Sequence, residues 1–384
     1  MPRASSTCSS TRLHLNFNPF SRHQSLREEC EERCPSSIWA DDVTEGYEAA
    51  AKVFHTMLTT RSNVESTQCI WLPKMISREA TQMLSGLVDV LNSNTARLGG
   101  WSASLERWPI SPTTGIILSG VGRTDAPQPI HLNAGEHRDA IDATERWVNN
   151  TLGQLGLCPY TASMARAAIG LDSVGVSSGP VVVRHTVPTL LSNYSGDSIA
   201  RDAVILSASF WNAVMDLARR PETEVATFLL VAPSSYDENF AEFISTCDNL
   251  LEGSCKAVGA DGIIGKAWFH PNYNSSVVGQ DSIIPGHALP AEMVKTFVDK
   301  YFGDMDELDL AEVSRANDAV RHTPHATVNL LRRSQLRASK EAEAATLSSV
   351  SSKEGRQRRR AGPNSIYAQN VHTLHKLLSL EDDG

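Results

Sequence analysis

The sequence predicts an α/β fold: a small sheet of about three to five strands flanked by helices, with a disordered leader before it and a disordered linker inside it. Three observations predict it. Apolar stripes at helical spacing alternate with short apolar or β-branched runs. Connections in the second half are short, as in a right-handed strand–helix–strand layer. Val225 to Val231 is apolar almost without interruption, which marks a strand buried on both faces.

A chain of 384 residues, 41% hydrophobic and 21% charged, is long enough for a sizeable core. Ordinary Gly, Pro and Cys frequencies exclude collagen-like and disulfide-scaffold classes. No run approaches the roughly 18 apolar residues of a membrane span, so a soluble protein is expected. The net charge of −9 argues against a general nucleic-acid binder. That charge is uneven. Val328 to Arg360 holds nine Lys or Arg against three Glu, a net of +6, while Asp304, Asp306, Glu307, Asp309 and Glu312 form an acidic cluster. A basic stretch of this kind is a solvated linker or a partner-binding segment.

Along the chain, residues 1–40 read as a leader. Its first 27 residues lack Asp and Glu, carry four Arg and are rich in Ser and Thr. This is the composition of a plastid or mitochondrial transit peptide, and equally of a cytosolic tail. Residues 41–137 read as a helical, loop-rich extension. Tyr47, Ala50, Ala51, Phe54, Met57 and Leu58 form one helical stripe, and Ile76 through Leu91 a second. Cys69 to Leu72, closed by Pro73, is a strand. Gly120-Val121-Gly122 lacks the third glycine of a dinucleotide site, because position 125 is Asp125.

Residues 138–380 read as the main α/β domain. Ile141 to Leu155 is a helix and Val181 to Val183 a strand. Asp197 caps a helix from Ile199 to Leu217. After the strand ending at Val231, Ser235 and Glu238 form a capping box for a helix carrying Phe240, Phe243, Ile244, Cys247, Leu250 and Leu251. Ile263 to Phe269 is the third strand. Ala288 to Phe302, Thr327 to Ala345 and Ser365 to Leu380 read as helices, with a disordered linker at 346–363. No internal repeat is visible.

Seven cysteines without a C-x-x-C pair exclude a zinc ribbon and a thioredoxin motif, and fit a reducing compartment. Cys247 and Cys255 fall on an apolar helix face, where Cys is a small buried hydrophobe. Cys158 precedes Pro159, and proline favours the first position of a helix. A thiol at a helix start is acidified by unpaired N–H groups, which makes it a nucleophile or redox thiol. The competing reading is a packed Cys beside a proline turn. His270 stands where the third strand ends, at the sheet edge where α/β proteins bind ligands, and can act as an acid/base. Otherwise it is a turn histidine bonded to backbone. Arg321, Arg332 and Arg333 can clamp a carboxylate or phosphate. His322 and His325, with His270, His287 and Asp281, have spacing too weak to predict a metal. No cofactor is legible.

Trp147, Leu155 to Tyr160, Glu222-Thr223-Glu224 before Val231-Ala232-Pro233, and Phe269-His270-Pro271-Asn272-Tyr273 together resemble one family. So do Pro324 to Arg332, Ile366-Tyr367 and Asn370 to Leu374. The chain is similar over residues 138–380 to domain of unknown function 1415, a mainly bacterial family of unknown activity. The resemblance implies site roles at Cys158, His270, Tyr273 and Arg332, with Arg321 as the nearest match to a family arginine. The sequence departs from the family's pattern at Asn272, Asn329 and Arg333, where the family has Asp, His and Glu. The expected function is an enzyme on a small anionic molecule with Cys158 and His270 as its catalytic pair and Tyr273, Arg321 and Arg332 binding substrate. The alternative is a non-catalytic binding or interaction protein in which Cys158 and His270 are structural.

Overall fold

The computed structural model describes residues 37–60, 66–107, 113–120, 134–155, 158, 161–186, 198–274, 310–348 and 371–374, with a few isolated positions besides. Nearly all of the leader before Ser37, Asp197, Pro159, Tyr160, Asp281, His287, the acidic cluster before Glu312, and most of the linker and last helix lie outside these residues.

Among the described residues the fold is α/β with three sheets. The first sheet has the order β1 (Ser37–Trp39), β2 (Ser66–Leu72), β4 (Thr114–Gly120), β3 (Ser102–Arg107). Its helices are α1 (Gly46–Thr59) and α2 (Arg78–Ser93). The second sheet has the order β7 (Val181–His185), β8 (Thr227–Val231), β10 (Thr327–Arg332), β9 (Ile264–Phe269). β7 and β8 are parallel, and β10 runs antiparallel between β8 and β9. Helix α3 (Ala134–Trp147) continues into a π-helical turn, Val148–Gln154. The short hairpin β5 (Thr161–Ser163) and β6 (Arg166–Ala167) follows.

Helix α4 (Ser198–Arg219) connects β7 to β8. From β8 the chain passes through a 3₁₀ turn, Ser234–Tyr236, into a helical segment leading to β9. That segment is α5 (Phe240–Ser245), a π-helical stretch (Thr246–Glu252) and α6 (Gly253–Val258). Helices α7 (Leu310–Ala319) and α8 (Arg333–Ser348) flank β10 in sequence.

One core joins the two halves. Leu72, Ile116, Phe54 and Leu87 from the first sheet and its helices share it with Phe210, Phe228, Leu250 and Val328 from the second. Alternation in β8 explains its unbroken apolar run: Phe228 and Leu230 enter this core, while Leu229 enters a smaller one. That smaller core, with Trp147, Val148, Ala267 and Phe269, lies on the opposite face under α3. Cys247 and Cys255 are fully buried, as their apolar helix face requires.

Three local expectations change. Residues 37–120 form a four-stranded α/β unit rather than a helical extension, and its first strand begins inside the expected leader. β3, Ser-Ala-Ser-Leu-Glu-Arg, is an edge strand with only Ala103 and Leu105 packed inward, too polar to stand out in sequence. Thr327 to Arg332 is a strand, not the start of a helix. Its Leu and Arg favour helices locally, but pairing on both sides in the centre of a sheet overrides that preference. The helix begins only at Arg333. Finally, the cap after β8 is Asn239, whose side chain accepts the Glu242 N–H at 3.1 Å. Ser235 instead donates to Asp202.

Candidate functional site

Parallel strands β7 and β8 end side by side, and their C-terminal ends carry His185-Thr186 and Ala232-Pro233-Ser234-Ser235. Ligands bind at this edge of α/β sheets because strand ends and following turns open a crevice there. A cavity of about 410 Å³ lies at this edge. Its walls include His137 from α3, Arg201 and Asp202 from α4, and His325 just before β10.

Two carboxylates near the cavity each accept two hydrogen bonds. Asp237 accepts from His325 Nδ1 at 2.8 Å and from the Ala326 N–H at 2.7 Å. Asp202 accepts from Arg201 Nε at 3.1 Å and from the Ser235 hydroxyl. Their charges are thus spent on holding His325 and Arg201 in place. The Asp237 carboxylate raises the pKa of His325 above its ordinary value, against the opposing effect of burial. His185 behaves oppositely. Burial and the neighbouring His137, whose ring centroid is 4.2 Å away, push it down to about 4. Positive charge on His325 adds to that depression. His185 Nδ1 lies 3.0 Å from the Thr186 carbonyl, which makes it the protonated nitrogen and leaves the lone pair on Nε2. Two further lining atoms, His137 Nε2 and Thr186 Oγ1, are buried without a hydrogen-bond partner.

The residues expected from sequence lie elsewhere. His270 is fully buried. Its Nε2 donates to the Tyr236 carbonyl at 2.7 Å and its Nδ1 accepts the Asn272 N–H at 2.9 Å, so neither nitrogen is available for proton transfer. Burial lowers its pKa, which keeps it neutral. It packs with Phe240, Phe243 and Tyr273, whose ring lies under the Arg321 guanidinium at 4.9 Å. His270, Tyr273 and Arg321 are therefore brought together, but in a closed cluster where Tyr273 is 6% and Arg321 3% exposed.

Cys158 belongs to the other side of the sheet. Its N–H bonds to the Leu152 carbonyl in the π-helical turn, its thiol lies 3.4 Å from Thr161 Oγ1, and Leu152 packs in the smaller core under α3. His270 faces Phe243 and Tyr236 in the larger core, so the sheet stands between the two residues. The next described element after Cys158 is the strand β5, beginning at Thr161, rather than a helix, so the dipole argument for an acidified Cys158 finds no support among the described residues.

Arg332 is spent on backbone. Its Nε and Nη2 donate to the Val225 carbonyl, its Nη2 also to Arg220 and its Nη1 to Leu217, all between 2.7 and 3.0 Å. These are carbonyls at and beyond the end of α4, where a helix leaves acceptors unpaired. No metal site replaces these assignments: among the described residues no group of three or more His, Cys, Asp or Glu side chains is arranged to hold a metal ion. His322 Nε2 lies against the Tyr273 carbonyl at 3.2 Å, His270 against Tyr236 and His325 against Asp237, each in its own contact.

Sequence reading singled out His325 but not His137, His185, Thr186, Arg201, Asp202 or Asp237. The signal was present in part: His185 directly follows a β-branched run, and Pro233-Ser234-Ser235 directly follows a buried strand. Set against protein-family profiles, curated proteins and solved structures, the chain matches none.

Proposed function

We propose that the chain is an enzyme acting by proton transfer on a small anionic molecule held between β7, β8 and α4. The observation that carries this reading is the pair His185 and His325, which line one cavity and have pKa values driven in opposite directions. Such a split is how a site keeps one proton donor and one acceptor at the same pH. His325, held by Asp237, is the donor. His185, neutral with its Nε2 lone pair, is the acceptor. Arg201, fixed through Nε to Asp202, offers its remaining guanidinium N–H groups to an anion.

His270 then acts as a positioning residue. It fixes the Tyr236 carbonyl, and the next residue, Asp237, holds His325. The reading includes membership of the domain of unknown function 1415 family, with the His270 motif shaping the site from behind. The leader's composition suits import into a plastid or mitochondrion, which a fluorescent fusion of residues 1–40 tests by its location.

The test is an NMR titration of the histidine ring nitrogens with inorganic phosphate and with small carboxylates. Saturable shifts at His185 and His325, weakened in Arg201→Met, support the site; silence of both rings at millimolar anion ends it. The second reading, a binding protein without chemistry, draws on the wholly structural surroundings of His270 and Arg332. It predicts that His325→Gln leaves anion binding intact and that no chromogenic ester or phosphoester is turned over by the wild type.

A further inference from the structure

The two four-stranded sheets follow one plan. Each runs strand, crossover helix, parallel strand, second helical crossover and antiparallel pair, with the last strand inserted third in the sheet. A row of paired residues crosses each sheet at the same level. In the first sheet it is Trp39, Trp71, Gly115 and Glu106. In the second it is His185, Val231, Thr327 and Phe269.

Other features agree with that alignment. The Ala40 N–H bonds to the Trp71 carbonyl at 2.9 Å, and the Thr186 N–H bonds to Val231 at 2.8 Å. A proline, Pro73 or Pro233, follows two residues after the β2 or β8 member of the row. The second crossover is capped alike: Ser77 accepts from Ala80 N–H at 3.0 Å, Asn239 from Glu242 N–H at 3.1 Å. Inward faces also correspond. Ile70, Leu72, Ile116 and Leu118 match Leu230, Ala232, Val328 and Leu330, and all eight enter the common core.

The halves meet through corresponding helices, α1 on α4 and α2 on α6. They run antiparallel. A Cβ on Gly86 would meet Ala257 Cβ at 3.3 Å, and one on Gly253 would meet Val90 at 3.4 Å. Further along, Asn94 Nδ2 reaches the Asn249 carbonyl and Arg97 reaches Glu242. Rising numbers on α2 thus meet falling numbers on its counterpart. Glu48 at the start of α1 likewise pairs with Arg219 at the end of α4. Like surfaces meeting in opposite directions is what a two-fold axis imposes on two copies of one unit.

We propose that residues 37–120 are a second copy of the fold built by residues 181–332, and that this copy occupies, helix face to helix face, the place of a second protomer. The partner that this helical surface fits is a unit of its own fold, supplied within the same chain. The copy keeps the interface and lacks the cavity residues: Trp39, Ala40 and Thr113 stand where His185, Thr186 and His325 stand. Topology and packing alone carry the repeat, so it is independent of the proposed proton chemistry. The repeat is hidden in sequence because only the inward apolar pattern is shared, and because residues 270–326 separate β9 from β10 where β3 and β4 are close neighbours.

The test cuts the full-length chain at a sequence-specific protease site inserted between residues 120 and 134. The two pieces are expected to stay together one to one, at the mass of a single uncut chain by native mass spectrometry. Pieces that separate while each keeps its circular dichroism overturn the proposal. Cross-linking checks the axis in the uncut protein. Gly86→Cys with Ala257→Cys should close a disulfide within the chain, because the Cβ atoms come near bridging distance. Gly86→Cys with Gly253→Cys should not, and a bridge forming in that mismatched pair overturns the antiparallel match.

Discussion

The Asp237 carboxylate grips the two ends of one short stretch, His325 through Nδ1 at 2.8 Å and Ala326 through its backbone N–H at 2.7 Å. One side chain in the turn after β8 therefore sets both the position and the protonation of a histidine that lies 88 residues further along.

Asp237→Asn should remove the raised pKa of His325. Asn can still accept from Ala326, but an amide facing Nδ1 no longer stabilises the imidazolium. His325 has a folded pKa above its ordinary 6.5, so its contribution to stability is complete below 6.5 and fades as pH rises through the raised value. The wild type should lose stability across that window, and the variant should not. A loss of about 1–2 kcal/mol at pH 6 is expected from a charge-assisted bond of this kind. Urea denaturation at several pH values measures it; an unchanged pH slope would remove Asp237 from this role.

His185 predicts the opposite slope. Its folded pKa is depressed to about 4, so its contribution is present above 6.5 and is lost as pH falls toward 4, where the unfolded chain takes up the proton first. His185→Asn should make acid unfolding less steep in that range. Calorimetry at pH 7 and pH 5 checks this, since the difference in Tm should shrink in the variant.

Arg332→Ala should destabilise the protein by about 2–3 kcal/mol, because it strands carbonyls at the end of α4 and before β8. Anion binding measured on the folded variant should be unchanged. Loss of anion binding with stability intact would return Arg332 to a clamping role.

His270→Ala should cost about 2–4 kcal/mol through a cavity beside Phe240 and Phe243 and the loss of one of the two hydrogen bonds that the Tyr236 carbonyl accepts, the Asn239 N–H remaining on it. It should also lower the pKa of His325, because the turn that carries Asp237 loses its anchor. An unaltered His325 titration in a stably folded variant would leave His270 purely structural.

Thiol reactivity separates the cysteines. Burial pushes the Cys255 thiol up to about 12 and raises Cys247 as well, and both are fully buried. Iodoacetamide at neutral pH should leave both intact in the folded protein and modify them after denaturation. Rapid labelling of either in the native state, followed by mass mapping, would contradict this burial.

Much of the fold was legible because helices write their packing into local spacing. The stripe from Tyr47 to Leu58 becomes α1, the run from Ile199 to Leu217 becomes α4, and the unbroken run ending at Val231 becomes a strand buried on both faces. β3 and β10 were not legible. One is polar and lies at an edge; the other carries helix-favouring residues that only two neighbouring strands hold extended. Of the expected site residues, His270, Tyr273 and Arg321 do meet, yet as a closed cluster behind the cavity rather than as its lining.

By itself the sequence determined the α/β class, the main helices and the buried strand, since each depends on residues within a few turns of one another. The tertiary structure decided which histidines face a common cavity and that the two halves share a plan. Both depend on strand register: pairing β7 with β8 and β8 with β10 places His185 and His325 at one sheet edge, although 140 residues separate them. No local periodicity records that pairing, because hydrogen bonds between strands are blind to the distance along the chain.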